Sequence, residues 1–272
     1  MKFPDFSESQ LQQLYNDSFA NIWPVKLPGY FIPVLINTRQ EKDKGYDTGF
    51  KVPWIDKFDP NNKMCNLFIQ YKLANLCDHS SSGQYQYWNQ PYFRFSIPHE
   101  TASYGGIVRE YSYHQFNALK SLADQGYSVN YCANSTINDW QLFEWYSNGL
   151  MTKMNPIVDI TEIDEDDSHR YITFTEKSSY FLQHSEPREI NKIFDEKLLS
   201  RIEKGKLSSM KEDLDIIPDI LLKIPSFEEH YSYYRDISYD LSIIDRWTIL
   251  HFFVSSIFDV TWFKIPSSRK RN

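Results

Sequence analysis

The chain has 272 residues, 17% of them aromatic, and a formal net charge of −7. That length is ample for a large hydrophobic core, and three irregularly spaced cysteines without a leading secretory segment exclude a disulfide-built fold and fit a reducing, cytoplasmic setting. The acidic balance weighs against nucleic-acid binding by bulk charge alone, since Lys and Arg drive that term.

In chain order, Ser7-x-x-Gln10 has the form of a capping box, and Leu11, Leu14, Tyr15 and Ile22 recur at helical spacing until Pro24. A strand is expected to open at Asp47 and run through Thr48-Gly49-Phe50-Lys51-Val52 to Pro53. A second covers 66–73, where Gln70 and Lys72, two apart, share one face while Ile69 and Tyr71 share the other. Antiparallel pairing of 47–52 with 67–72 would bring Asp47 beside Gln70 and Lys72.

Tyr92-Phe93-Arg94-Phe95-Ser96-Ile97, bounded by Pro91 and Pro98, reads as a third strand after a Ser-rich connection over 74–90. Gln115 to Gln125 reads as a helix stopped by Gly126, and Ser128 to Cys132 as a last core strand. Thr136-x-x-Asp139 would cap a short helix carrying Trp140, Phe143 and Tyr146. Pro156–Ile160 and Arg170–Phe174 read as further strands, and from Arg188 the texture becomes helical. The segment from about Tyr239 to Phe263 is apolar on nearly every side and reads as a helix buried in the chain or against a partner. Asp245, Arg246, His251 and Asp259 interrupt it, so it falls short of the roughly eighteen apolar residues of a membrane span.

The chemistry-bearing stretch runs from Glu41 through Asp47 to Gln70-x-Lys72. Carboxylates and an amide oxygen are hard ligands of the kind magnesium prefers, and a lysine beside them would orient an attacking water or stabilise charge on a phosphate. Cys65, Cys77 and His79 lack the paired spacing of a zinc site. Neither a Gly-x-Ser-x-Gly elbow, a phosphate-binding Gly-Lys-Ser/Thr loop nor a His-Glu-x-x-His motif occurs.

These residues resemble the PD-(D/E)xK, or restriction-endonuclease-like, nuclease superfamily in its Q-x-K variant, as in Mrr-like nucleases, over residues 8 to 133. The resemblance implies an α/β (α+β) fold with a mixed central sheet flanked by helices, spanning 1–188, followed by a helical C-terminal region, 189–272, packed on the core or on a partner. It implies Glu41, Asp47, Gln70 and Lys72 as catalytic residues. Glu41, Asp47 and Gln70 would ligate Mg2+ or Mn2+, with one anionic ligand fewer than the common form because Gln70 replaces an acid. It further implies phosphodiester hydrolysis of nucleic acid, DNA ahead of RNA, in prokaryotic restriction or antiviral defence. The alternative is a non-catalytic interaction or sensing protein that keeps this fold and binds a protein partner or a second copy through its C-terminal helices, with no membrane role.

Overall fold

The computed structural model describes residues 1–22, 32–35, 48–51, 59–102, 109–164, 170–184, 187–238 and 240–266. Its centre is a mixed sheet built around β3 (Met64–Lys72), a strand buried along all but its last residue. β8 (Ser128–Ala133) runs parallel to β3, pairing Leu67 with Ser128 and Lys72 with Ala133. β9 (Ile157–Asp159) is antiparallel to β8. On the opposite edge β14 (Val260–Pro266) lies antiparallel to β3, from Val260↔Gln70 to Pro266↔Met64. The short β13 (Leu207–Ser208) pairs Cys65 and Met64 on the β8 side. A second, antiparallel sheet has the order β12 (Arg188–Asn191), β11 (Tyr180–His184), β10 (Tyr171–Phe174), β5 (Tyr92–Ser96) and β4 (Asn75–Cys77). Two ribbons complete the strands: β1 (Ile32–Leu35) with β2 (Thr48–Lys51), and β6 (His99–Ala102) with β7 (Arg109–Ser112). The chain is therefore an α+β protein with a mixed central sheet.

Alternation along β3 sends side chains into two separate cores. Leu67, Ile69 and Tyr71 enter one with Leu11, Tyr15 and Phe19 of α1 (Glu8–Ile22). That core also takes Leu142 and Trp145 of a helix spanning Asp139–Ser147, and Leu198 and Ile202 of another spanning Asp195–Lys204. Phe68 enters the other core with Val129 and Tyr131 of β8 and with Phe93, Phe95, Ile172, Phe174 and Phe181 of the second sheet. Helices over His114–Asp124, Met210–Leu221 and Ile243–Phe258 close that face. In chain order the helices are α1, α2 (Tyr85–Trp88), α3 (His114–Asp124), α4 (Asp139–Ser147), α5 (Met151–Met154), α6 (Asp195–Lys204), α7 (Met210–Leu221), α8 (Pro225–Ser238) and α9 (Ile243–Phe258).

The structure corrects four expectations. The stretch expected to be helical from Arg188 begins as strand β12, and helix α6 starts only at Asp195. β2 pairs with β1, not with β3, whose two edges are taken by β14 and β8 over 67–70. β5 belongs to the second sheet, between β4 and β10. The apolar segment read as one helix changes state at Asp259: α9 ends at Phe258 and Val260-Thr261-Trp262-Phe263-Lys264-Ile265 continues as β14. Branched and aromatic residues favour a strand there, and the open edge of β3 supplies the hydrogen bonds. Region 189–272 thus carries helices α6 to α9 and also two strands of the central sheet. Among the described residues no helix is long and apolar enough to cross a membrane.

Candidate active site

The capping box at the start of α1 forms as the sequence predicts. The Ser7 amide donates to Gln10 Oε1 at 3.0 Å and the Gln10 amide to Ser7 Oγ at 3.1 Å. It fixes where the helix begins, and so where Glu8, its first residue, stands. Glu8, Gln12 and Asn16 then follow at intervals of four and form one polar stripe, beside the buried stripe of Leu11, Tyr15 and Phe19. The polar stripe docks on the central sheet: Gln12 Nε2 and Asn16 Nδ2 both donate to Thr261 Oγ1 of β14, at 2.9 and 3.0 Å, and Tyr71 Oη donates to Asn16 Oδ1.

At the head of that stripe the Glu8 carboxyl shares a hydrogen bond with Asp259 and accepts one from the Leu73 backbone N–H. Glu8 is pushed up to about 7, first by burial and then by the hydrogen bond and charge of Asp259, with Lys72 opposing. Burial disfavours the charged carboxylate, and a second acid beside it adds to that penalty. Lys72 is half-buried beside both acids, its ammonium 5.3 Å from the Tyr131 ring centre. Burial pushes its pKa down and the two acids hold it up.

Asp259 sits at the turn from α9 into β14 with φ 50° and ψ 50°. Left-handed backbone of this kind favours Gly or Asn, so an aspartate there is held at some cost. The turn is fixed from two sides: the Asp259 N–H donates to Ser255 O, while Gln115 Nε2 of α3 and Gln70 Nε2 of β3 both reach the Phe258 carbonyl, at 2.5 and 3.5 Å. Gln70 is 2% exposed, and its Oε1 has no hydrogen-bond partner among the described residues. A buried, unpaired amide oxygen costs on the order of 1–3 kcal/mol, so it marks a place where a ligand would be welcome.

This cluster lies at the carboxyl ends of the parallel strands β3 and β8, the usual position of ligands in open α/β sheets. Two helix N-termini lie there: α1 at Glu8 and α3 at Gln115, whose amide reaches the Phe258 carbonyl. Their partial positive charge favours an anion locally although the whole chain is acidic.

Of the residues singled out by sequence, Gln70 and Lys72 meet on one face of β3, as their spacing requires. Glu41 and Asp47 lie outside the described residues. Glu8 and Asp259 escaped the sequence reading. Glu8 was signalled by the polar stripe running beside the apolar one in α1; Asp259 was concealed inside an apolar run whose change of state is set by pairing with a distant strand.

Other aromatic, histidine and cysteine side chains are held in structural contacts. Trp88 stacks on Tyr180 at 5.3 Å and donates to Thr173 Oγ1, and Tyr92 is fully buried, so these aromatics are core. His184 bonds Thr173 Oγ1 at 2.7 Å within the second sheet. Cys65 and Cys77 are buried free thiols, and His79 Nδ1 contacts Ser81 Oγ at 2.8 Å. Among the described residues no three His, Cys, Asp or Glu side chains gather as a metal cluster. Comparison with protein-family models, curated proteins and solved structures finds no match for this chain.

Proposed function

We propose that the chain is a metal-dependent phosphodiesterase acting on nucleic acid, with Glu8, Asp259, Gln70 and Lys72 as its site. The observation that carries this reading is the meeting of two adjacent carboxyl groups, a half-buried lysine and, two residues before it on β3, an unpartnered buried amide oxygen. The donor set is all oxygen and suits Mg2+ or Mn2+, which bind through one or two carboxylates and complete their shell with substrate phosphate and water. Such an ion would supply charge neutralisation on the phosphate and a more acidic bound water.

The chain's own residues do the rest. Glu8 and Asp259 would hold such an ion through their carboxylates, and Gln70 Oε1 would offer it a neutral oxygen ligand. Lys72, kept close to the acids, donates to the phosphate oxygens as charge develops there. The order helix, Gln-x-Lys strand, helix, parallel strand supports a restriction-endonuclease-like core in which C-terminal β14 takes the place of the acid-bearing strand expected at 47–52.

The test is a thermal-shift titration with Mn2+ together with a cleavage assay on single- and double-stranded DNA and RNA. Wild type should be stabilised by the cation and should cleave; Asp259→Asn should fold and do neither, and Lys72→Ala should fold, keep the cation response and fail to cleave. Absence of both cation stabilisation and cleavage in the wild type would overturn the proposal in favour of a non-catalytic interaction protein.

A further inference from the structure

Lys72 is paired across the central sheet with Ala133 of β8, which has only a methyl group to offer it. The next residue back on the same face of β8 is Tyr131, in register with Gln70. Strand spacing and rise set Tyr131 and Lys72 on a diagonal of about 8 Å between Cα positions, within reach of two long side chains. They meet there: Lys72 Nζ lies over the Tyr131 ring, 5.3 Å from its centre, inside the range of roughly 6 Å in which a ring face attracts a cation.

The ring, not the hydroxyl, is what faces the ammonium. Tyr131 Oη has no hydrogen-bond partner among the described residues, and burial pushes its pKa well above the usual tyrosine range, so the side chain stays neutral. The ring is fully buried and is met by the ring of Phe95 on β5, at 6.2 Å and 76°. A ring kept from water attracts a cation more strongly than an exposed one. The charged groups acting on Lys72 are Glu8 on α1 and Asp259 between α9 and β14; both favour the ammonium form, and burial opposes them. These are the same carboxylates that would hold the proposed ion. Carboxylates committed to an ion no longer balance Lys72 as they did, and the Tyr131 ring is the group left to keep it charged.

We infer that Tyr131 is a positioning residue of the proposed site: its ring face holds the Lys72 ammonium charged and in place beside Glu8 and Asp259, where a phosphate oxygen would receive its hydrogen bond. The inference rests on the function proposed above and adds to it a residue that acts through Lys72. A core aromatic without this role would leave the Lys72 proton indifferent to an aliphatic replacement.

The experiment follows the Lys72 ammonium nitrogen by NMR as pH is raised, in wild type, Tyr131→Phe and Tyr131→Leu, the signal being assigned by its loss in Lys72→Met. Phenylalanine keeps a ring face and removes only the unpartnered hydroxyl, so Tyr131→Phe should titrate close to wild type. In Tyr131→Leu the Lys72 proton should be lost about 0.5–1.5 pH units lower. The alkaline limb of the cleavage profile should move down with it in Tyr131→Leu and stay in place in Tyr131→Phe. Equal Lys72 titration in all three proteins, or a cleavage profile that does not follow the titration, overturns this inference and leaves the phosphodiesterase standing. If Tyr131→Leu does not fold, the wild type decides: the Lys72 ε-methylene protons, near the ring face, should resonate upfield of those of exposed lysines, and coincidence with them overturns the inference. A wild type that neither cleaves nor responds to Mn2+ overturns both.

Discussion

Lys264 and Asp213 form an ion pair from which water is wholly excluded, both side chains at 0% exposure and Nζ 2.5 Å from Oδ2. The network around it is closely paired. Trp247 Nε1 donates to Asp213 Oδ2 at 2.9 Å, Ser208 Oγ donates to Asp213 Oδ1, and Lys264 Nζ also reaches Ser208 O at 2.9 Å and Asn66 Oδ1 at 3.2 Å. Trp262 Nε1 completes it on Asn66 Oδ1 at 3.0 Å. Five elements meet here: α7, β13, β3, β14 and α9. Asp213→Leu leaves the ammonium buried without its anion, which costs about 3–5 kcal/mol. Lys264→Met leaves the carboxylate buried but still holding Trp247 and Ser208, so it should cost the same or somewhat less. The double substitution removes both charges and orphans only the Trp247 N–H and part of the Ser208–Asn66 set, about 1–3 kcal/mol by the usual cost of an unmade buried bond. The double variant should therefore be more stable than Asp213→Leu alone, with a coupling of about 2 kcal/mol or more between the sites. Urea denaturation followed by far-ultraviolet circular dichroism, with a common slope across the variants, measures this. Single costs below about 1 kcal/mol, or a double cost equal to the sum of the singles, would refute the view that a desolvated pair holds β14 in place.

Asp259→Asn keeps the left-handed turn, which Asn tolerates better than Asp, and removes the repulsion with Glu8. It should raise stability by roughly 0.5–1 kcal/mol while abolishing Mn2+ stabilisation, and a variant losing both stability and cation response would show that Asp259 is structural. Glu8 has a folded pKa of about 7 against a usual 4.5, so the folded state binds more protons between those values and stability falls as pH rises through that window. Glu8→Gln should thus stabilise above about pH 7 and be neutral near pH 4.5, and Mn2+ affinity of the wild type should weaken as pH falls below about 7, both read by thermal shift. Lys192 is 3% exposed, donates to Thr175 O at 2.7 Å, lies over the Phe174 and Phe181 rings, and is held down to about 7 by burial. The unfolded chain then binds more protons from about 7 up to the ordinary lysine range, so stability rises with pH there, and Lys192→Met should stabilise at pH 6–7 by an amount that disappears near pH 10 in urea titrations.

What the sequence disclosed was local. Ser7 and Gln10 announce the first helix because a capping box needs only four consecutive residues, and Gln70 and Lys72 announce a shared face because strand alternation needs only two. Gly126, at φ +88°, ends α3 where the pattern stops. Pairing partners are another matter, since nothing within 64–72 states which strand will lie against it. Asp47 was an expected neighbour of Gln70 because it was the nearest strand-borne acid in sequence, whereas the register Val260↔Gln70 brings Asp259 there from nearly two hundred positions away. Trp262 and Phe263 read as part of an all-round apolar helix until the open edge of β3 gives them a reason to be extended, with Lys264 just beyond reaching Asp213 and Asn66.

That long-range closure bears on whether residues 1–188 fold alone. Without 189–272, β3 keeps β8 over 67–72 on one edge but loses its partner on the other along Met64–Gln70, where every pair from Pro266↔Met64 to Val260↔Gln70 comes from β14. One core loses Phe263, Ile265, Leu198 and Ile202, and the other loses Trp247, Leu250, Val254, Phe258 and Trp262. An unpaired central edge bordered by two opened cores is a template for aggregation. A chain ending at residue 188 is thus expected to be insoluble or to lack a cooperative unfolding transition, measurable by size-exclusion chromatography and thermal denaturation. If that piece were instead monomeric and unfolded cooperatively, β14 would be an accessory strand and Asp259 could not be integral to the fold. In the arrangement seen here the two acids come from near opposite ends of the chain, Glu8 and Asp259, and meet over a lysine in between. The site therefore exists only when the whole sheet is assembled.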